Sequence, residues 1–278
     1  MSEPAARPRW RVLARGLADL LLPRACASCR QSLAADAPDP VCGTCWARLE
    51  SFPEPSCPRC GHPRALPPGA SGRRDDDASP PFGACRWCER LPPTVRAVRS
   101  VARVDRGTAG AIVHALKYAG WQEVARGMGS RMARTAWPPD VLAERAAVLP
   151  VPLAPVRERE RGFNQSRLLA AEVARLWGIP LWDDVLRRTR ATRSQTQLTP
   201  SERSRNVSSA FDIDPGVTAR LRGTHLVLVD DVITTAATLN AATEVLTGHG
   251  VRLVSYLTFG RAPEAGDRTI HVSDPDQT

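Results

Sequence analysis

The stretch His225-Leu-Val-Leu-Val-Asp-Asp-Val-Ile-Thr-Thr-Ala-Ala-Thr238 decides the reading of this chain. Residues 225–229 form an apolar run of the kind that fills a strand buried on both faces. Two carboxylates follow, Asp230 and Asp231, and then a threonine-rich turn that opens a helical pattern over residues 238–246. A helix N-terminus presents free backbone N–H groups and the positive end of its dipole, which together hold a phosphate. Thr234, Thr235 and Thr238 add hydroxyl donors. Two carboxylates just ahead of such a cradle can accept hydrogen bonds from vicinal sugar hydroxyls or hold a divalent metal. A sugar phosphate with a free diol satisfies both halves. The plainer alternative makes Thr235 a helix cap and the aspartates ordinary loop charges. Adjacent carboxylates in one turn repel each other, however, and that alternative supplies no reason for them.

Working outward, the chain alternates strand and helix patterns. Strand character covers residues 95–104, 146–151 and 251–259. Residues 108–118 read as a helix with Ala109, Ile112, Val113 and Leu116 on one face, and a second helical stretch covers 121–135. Residues 164–177 read as a helix with Leu169, Val173 and Leu176 inward and Gly178 as its stop. Such alternation predicts an α/β domain with a mainly parallel sheet and helices on both faces. Ligands of these folds sit beyond the carboxyl ends of the strands. The polar tail after Arg261 is expected to be disordered.

All eight cysteines lie between Cys26 and Cys88. They form four Cys-x-x-Cys pairs: Cys26/Cys29, Cys42/Cys45, Cys57/Cys60 and Cys85/Cys88. Two thiolates at this spacing can face one metal from a tight turn, and two such turns complete a tetrahedral zinc site. Four pairs therefore predict two structural Zn²⁺ sites. A disulfide framework is the competing reading, and a cytosolic setting argues against it. Sequential pairing would group Cys26, Cys29, Cys42 and Cys45, then Cys57, Cys60, Cys85 and Cys88; an interleaved cross-brace is the alternative. His62 is left out, since eight thiolates suffice. Residues 64–81, rich in Pro, Gly, Ser and Asp, read as a mobile loop within the second site. The module has few large apolar residues, and each structural zinc can supply roughly 10–16 kcal/mol coupled to folding.

The 278 residues carry a formal net charge of +9, which favours acidic partners: nucleic acid, nucleotides, polyphosphates or anionic lipid. Hydrophobic content of 42% with 24% charged residues excludes wholesale disorder, collagen and a pure coiled coil. No apolar run approaches the length that spans a bilayer. Residues 10–22 come nearest but are interrupted by Arg11, Arg15 and Asp19, and they lack a signal peptide's small-residue cleavage site. As a helix this stretch would gather Leu13, Leu17, Leu20 and Leu21 on one side, either to pack on the protein or to lie at a membrane interface. Of 38 basic residues only Lys117 is a lysine, a bias that points to a GC-rich genome and draws attention to the lysine that remains.

The segment from His225 to Thr238 resembles the phosphoribosyl-pyrophosphate (PRPP) loop of type I phosphoribosyltransferases. The whole chain, over residues 21–260, resembles the ComF/GntX family, in which cysteine pairs that bind zinc precede such a domain. The likeness runs through Ala115-Leu-Lys-Tyr118, Val151-Pro-Leu153, Arg161-Gly-Phe-Asn-Gln165, the spaced set Gln195, Leu198, Arg203 and Asn206, and Val229-Asp-Asp-Val-Ile-Thr-Thr235. It implies a type I phosphoribosyltransferase-like parallel sheet with helices on both faces, preceded by a small double zinc-binding module. The expected division is an amphipathic helix or tail over 1–22, the zinc module over 23–92, the transferase-like domain over 93–261 and a tail over 262–278. By resemblance Asp230 and Asp231 would meet the ribose hydroxyls at the catalytic position. Val232, Thr234, Thr235, Ala236, Ala237 and Thr238 would complete the PRPP loop, with Mg²⁺ accompanying the pyrophosphate. The family usually has glycine where this chain has Ala236. If that position needs positive φ, alanine costs on the order of 1 kcal/mol; if it needs close phosphate approach, the methyl crowds the ligand.

The remaining motifs supply positive charge. Residues 150–164 lead from a strand into a helix with Arg157, Arg159 and Arg161 alternating with acids, where the family fold would place its pyrophosphate loop. Gly162 permits a close turn and Asn164 can cap the helix. A self-neutralising charge run is the alternative, since three arginines and two glutamates net only +1. Residues 187–206 hold six arginines and one acid. This segment resembles the mobile loop that covers PRPP, and it would equally serve as a phosphate-contacting surface for DNA. Lys117, beside a buried helix face, could reach an anionic ligand as a point charge. The family is associated with natural transformation. The resemblance therefore implies a cytoplasmic, PRPP-binding protein that handles incoming single-stranded DNA with the uptake machinery at the inner face of the membrane. An active phosphoribosyltransferase on an unidentified acceptor, or an adaptor with a degenerate site, are the alternatives.

Overall fold

The computed structural model describes residues 24–64, 85–105, 107–188 and 210–263. The N-terminal amphipathic stretch, residues 65–81 of the Pro/Gly-rich loop, residues 189–206 of the arginine-rich segment and the tail beyond Pro263 lie outside them. Strands β1 (Val95–Arg103), β2 (Arg145–Pro150), β3 (Leu186–Arg188), β4 (Phe211–Ile213), β5 (His225–Ile233) and β6 (Leu253–Arg261) form among the described residues. The four long ones make one parallel sheet in the order β1-β6-β5-β2, while β3 and β4 pair antiparallel. Successive side chains of a strand point to opposite faces. Accordingly Leu226 and Leu228 join one apolar cluster and Val227 and Val229 the other, all fully buried. Each such side chain contributes about 1.5–3 kcal/mol by leaving water.

The helices are α1 (Gly43–Ala47), α2 (Thr108–Tyr118), α3 (Val124–Ala133), α4 (Pro139–Glu144), α5 (Pro155–Arg161), α6 (Gln165–Trp177) and α7 (Ala237–Gly248). Buried residues of α2, α3 and α6 cover one face of the sheet; α7, with β3 and β4, covers the other. Three expectations need correction. The helix expected from residue 121 begins at Val124. Leu176 was expected inward, but it is 43% exposed, because Ala174 and Trp177 turn inward in the last turn of α6. Trp177 fills that space, edge-on to Trp137 at 6.0 Å and donating Nε1–H to the Ala133 carbonyl at 2.9 Å. The strand expected to end at Val229 continues to Ile233, so Asp230 and Asp231 stand in β5 and not in a turn.

The zinc module covers the open edge of the sheet. β1 is an edge strand, and its outward N–H groups need acceptors. Val98 N–H donates to the Arg59 carbonyl at 2.8 Å and Arg103 N–H to the Glu50 carbonyl at 2.9 Å. The first cysteine set packs on the α2/α3 side, and the second on the α7 side. Trp46 anchors the first: it meets Phe259 edge-on at 6.2 Å, donates Nε1–H to Asp39 at 2.9 Å and lies 3.6 Å beneath the Arg131 guanidinium. Gly127 permits this approach, since a Cβ there would stand 2.6 Å from both Asp39 Oδ2 and Trp46 Cζ2. Among the described residues no helix is long and apolar enough to cross a membrane.

Candidate functional site

The eight thiols gather sequentially, not as a cross-brace. Cys26, Cys29, Cys42 and Cys45 form one set and Cys57, Cys60, Cys85 and Cys88 the other, the sulfurs of each lying within 4.8 Å of one another. A zinc tetrahedron with Zn–S of about 2.3 Å spaces its sulfurs by about 3.8 Å. The separations are 3.8 Å for Cys29–Cys42, 3.6 Å for Cys57–Cys88 and 3.4 Å for Cys60–Cys85. Each set is built alike. A first turn closes Cys26 N–H on the Gln31 carbonyl, or Cys57 N–H on the His62 carbonyl, both at 2.8 Å. The left-handed position that follows the second cysteine is Arg30 in one and Gly61 in the other. The second pair of each set opens a short helical turn, with Cys42 capping α1 by accepting from Cys45 N–H. Burial pushes the Cys45 and Cys88 thiols up to about 12. Burial also opposes ionisation of Cys26, but backbone N–H groups of Cys29, Cys42 and Ser28 outweigh it and bring that thiol down to about 6. Four thiolates in one shell need a cation, and the donor set fits Zn²⁺.

The second centre lies at the carboxyl ends of β5 and β2. The two aspartates stand at consecutive positions of β5, and each has its own partner from a neighbouring helix. Asp231, 3% exposed, faces α2 and forms an ion pair with Lys117, Nζ to Oδ2 at 2.9 Å. Asp230 Oδ1 accepts from Ser166 Oγ at 2.7 Å and from Asp231 N–H at 2.9 Å. Ser166 is held in turn by the start of α6. Asn164 accepts from Ser166 N–H at 2.9 Å and donates Nδ2–H to the Val151 carbonyl at 3.1 Å, which locks this turn to the end of β2. Burial, and then the charge of Asp231, raise the Asp230 carboxyl to about 7; the Ser166 and backbone donors and Lys117 offset part of this.

Beyond Ile233 the exposed Thr234 and Thr235 lead to Ala236, and Asp230 with residues 232–239 lines a recess of about 290 Å³. Thr235 is not the helix cap. That position belongs to Ala236, at φ 63° and ψ 2°, and no side chain caps α7. The first N–H groups of α7 therefore open on the recess without a side-chain acceptor. Ala236 thus occupies the left-handed region that favours glycine, and its side chain is buried in the core. The cost of alanine here is backbone strain.

Of the cationic candidates, Lys117 is placed on Asp231. Arg161 ends α5, donates to Gln165 Oε1 at 2.5 Å and lies 5.2 Å from the exposed Tyr118 ring. Arg157 is exposed on α5, a short helix whose side chains are all outside the core. Two residues were missed. Ser166 falls one place beyond the Asn164 cap, and a hydroxyl in a first helical turn carries no distinctive pattern. Arg188 was counted only within the arginine-rich segment. It sits half-buried in β3, 5.3 Å from the Phe211 ring, where Asp230 supplies the favourable charge.

Residues 17–91 match the double zinc ribbon domain, and residues 164–272 match the phosphoribosyl transferase domain. The DNA utilization protein YhgH of Salmonella typhi is 31% identical over 242 residues, covering 84% of this chain and 96% of that protein. The chain belongs to the ComF/GntX family. Family likeness extends to competence protein ComFC of Bacillus subtilis, 28% identical over 217 residues, covering 76% of this chain and 79% of that one. Competence protein F of Haemophilus influenzae is 34% identical over 116 residues, or 42% of this chain and 50% of that one. Among solved structures, glutamine PRPP amidotransferase from B. subtilis matches 48% of this chain and 25% of its own at 22% identity and a TM-score of 0.33.

Proposed function

We propose that this protein binds PRPP through a phosphoribosyltransferase-like site and assists DNA uptake by handling incoming single-stranded DNA. The observation that carries the PRPP reading is the β5–α7 junction. A diol-accepting carboxylate, Asp230, stands beside an uncapped helix N-terminus and two exposed threonines. The ribose hydroxyls would meet Asp230, with Asp231 held behind it by Lys117. The 5′-phosphate would take the Thr234–Thr238 turn, and the pyrophosphate would extend toward Arg157 and Arg161. Among the described residues only the two cysteine sets bring three or more ligating groups together. With Asp231 ion-paired and Asp230 hydrogen-bonded, Mg²⁺ would arrive as the counter-ion of the pyrophosphate and take its oxygens from ligand and water. DNA handling is supported by the names of the relatives and by the net charge of +9.

Titration calorimetry with PRPP and Mg²⁺ tests the site. The wild type should bind, and the Asp230→Asn/Asp231→Asn variant should not. The strained Ala236 favours one second reading, an adaptor with a degenerate site; silence of the wild type at millimolar PRPP would select it. Single-strand affinity should fall steeply with salt, because phosphate contacts release counter-ions. A flat salt response would count against DNA handling through the basic surface.

A further inference from the structure

A second recess opens at the carboxyl edge of the same sheet. The ends of β1 and β6 contribute Arg103 and Arg261, and the zinc module contributes Phe52, Pro53, His62 and Pro63. It adjoins the first recess: Ala262, which lines the second, donates its N–H at 2.9 Å to the carbonyl of Ile233, which lines the first.

The chemistry of the lining is specific. None of its residues is acidic. Arg261 is 3% exposed, and its guanidinium lies 4.4 Å from the Trp87 ring and 5.5 Å from the Phe52 ring while donating to the Cys60 carbonyl at 2.5 Å. A guanidinium held between two rings is a cation whose ordering cost is already met before any ligand arrives. Around it stand an aromatic ring and three prolines, side chains with little rotamer freedom to lose. A small anion would engage the arginines and leave these apolar walls uncovered, and a neutral ring would do the reverse. A planar ring carrying a phosphate engages both. We infer that this recess takes one nucleotide of single-stranded DNA, its base against Phe52 and the prolines and its phosphate toward Arg103 and Arg261. The inference rests on the DNA-handling reading and gives the zinc module a role in binding as well as in covering β1.

The test uses the full-length, zinc-loaded protein and fluorescence anisotropy with a labelled oligothymidylate. Arg261 is left intact, because its packing joins the module to the sheet. Phe52→Ala should weaken binding roughly ten-fold, the effect of losing one stacked base. Arg103→Gln should weaken it and lower the slope of log affinity against log salt by about one. Zinc content and thermal midpoint, unchanged in both variants, show that the fold is kept. Competition by thymidine 5′-monophosphate would show that a free nucleotide suffices. Loss of oligonucleotide affinity in the variants without such competition would show that the site takes its nucleotide from a strand. Wild-type affinity in both folded variants overturns the assignment and leaves the DNA-handling reading standing. No binding by the wild type overturns both.

Discussion

Asp230→Asn should stabilise the protein near neutral pH while weakening PRPP binding. Burial and the charge of Asp231 raise the Asp230 carboxyl from its ordinary 3.8 to about 7. A carboxyl whose pKa is higher folded than unfolded holds its proton more tightly in the native state. Its contribution to stability is therefore present in full below about pH 4 and lost as pH rises through about 7. The displacement corresponds to about 4 kcal/mol of penalty on the ionised form once the pH exceeds the folded value. Asparagine removes the charge but keeps an Oδ1 that can accept from Ser166 Oγ and Asp231 N–H, the two donors on Asp230. In urea denaturation the variant should match the wild type near pH 4 and exceed it by about 2–4 kcal/mol near pH 8. Zinc loss at low pH affects both proteins alike and cancels in the difference. A variant less stable than wild type by about 1 kcal/mol near pH 8, as for an ordinary lost hydrogen bond, would refute the reasoning. So would a difference that stays flat across this range.

Lys117→Met leaves Asp231 buried without its cation and should cost about 3–5 kcal/mol in urea denaturation. Lys117→Arg keeps the charge, so the fold should survive while PRPP affinity falls in calorimetry. Spectroscopic metal counting should give two zincs for the wild type, one per cysteine set, and one for Cys45→Ser, with a lowered thermal midpoint. Gly127→Ala forces a methyl against Asp39 and Trp46 and should cost about 1–3 kcal/mol in thermal or urea denaturation, as overpacking does.

The parts of this molecule that were legible in the sequence are those whose burial is periodic. The helix over Thr108–Tyr118 and the parallel strands follow from apolar spacing alone, because both faces of the sheet are covered. Cysteine spacing announced two metal sites but not their grouping, which depends on how each first turn meets the next helical turn. The short helices α4 and α5 begin with proline and bury almost nothing, so no apolar period marks them. At the candidate site, the aspartates and threonines were visible as a motif. Ser166 was not, because its part is set by a bond across 64 residues to Asp230. The extent of β5 was misjudged because two charged residues ordinarily end a buried strand. Here Lys117 and Ser166 compensate them from neighbouring helices, and the ladder continues through Asp230–Thr258 and Val232–Gly260.

That continuation changes what the acidic pair can do. In a turn, two carboxylates would present themselves together and compete for the same ligand groups. In β5 each is held by a different helix, Asp231 by α2 and Asp230 by the start of α6, and the chemistry divides with them. Asp231 turns toward α2 and is matched by an ammonium compact enough to sit against a buried face, where the broader guanidinium fork has a different shape to satisfy. Asp230 keeps partial access to the recess, and its partners are hydrogen-bond donors, not a full opposite charge. A carboxyl left under that strain gains most from any ligand that supplies further donors. Vicinal hydroxyls are such donors, and they need no cation to accompany them. The same strand therefore carries a buried ion pair in a chain otherwise served by arginine, and beside it the carboxyl that the proposed sugar phosphate would donate to.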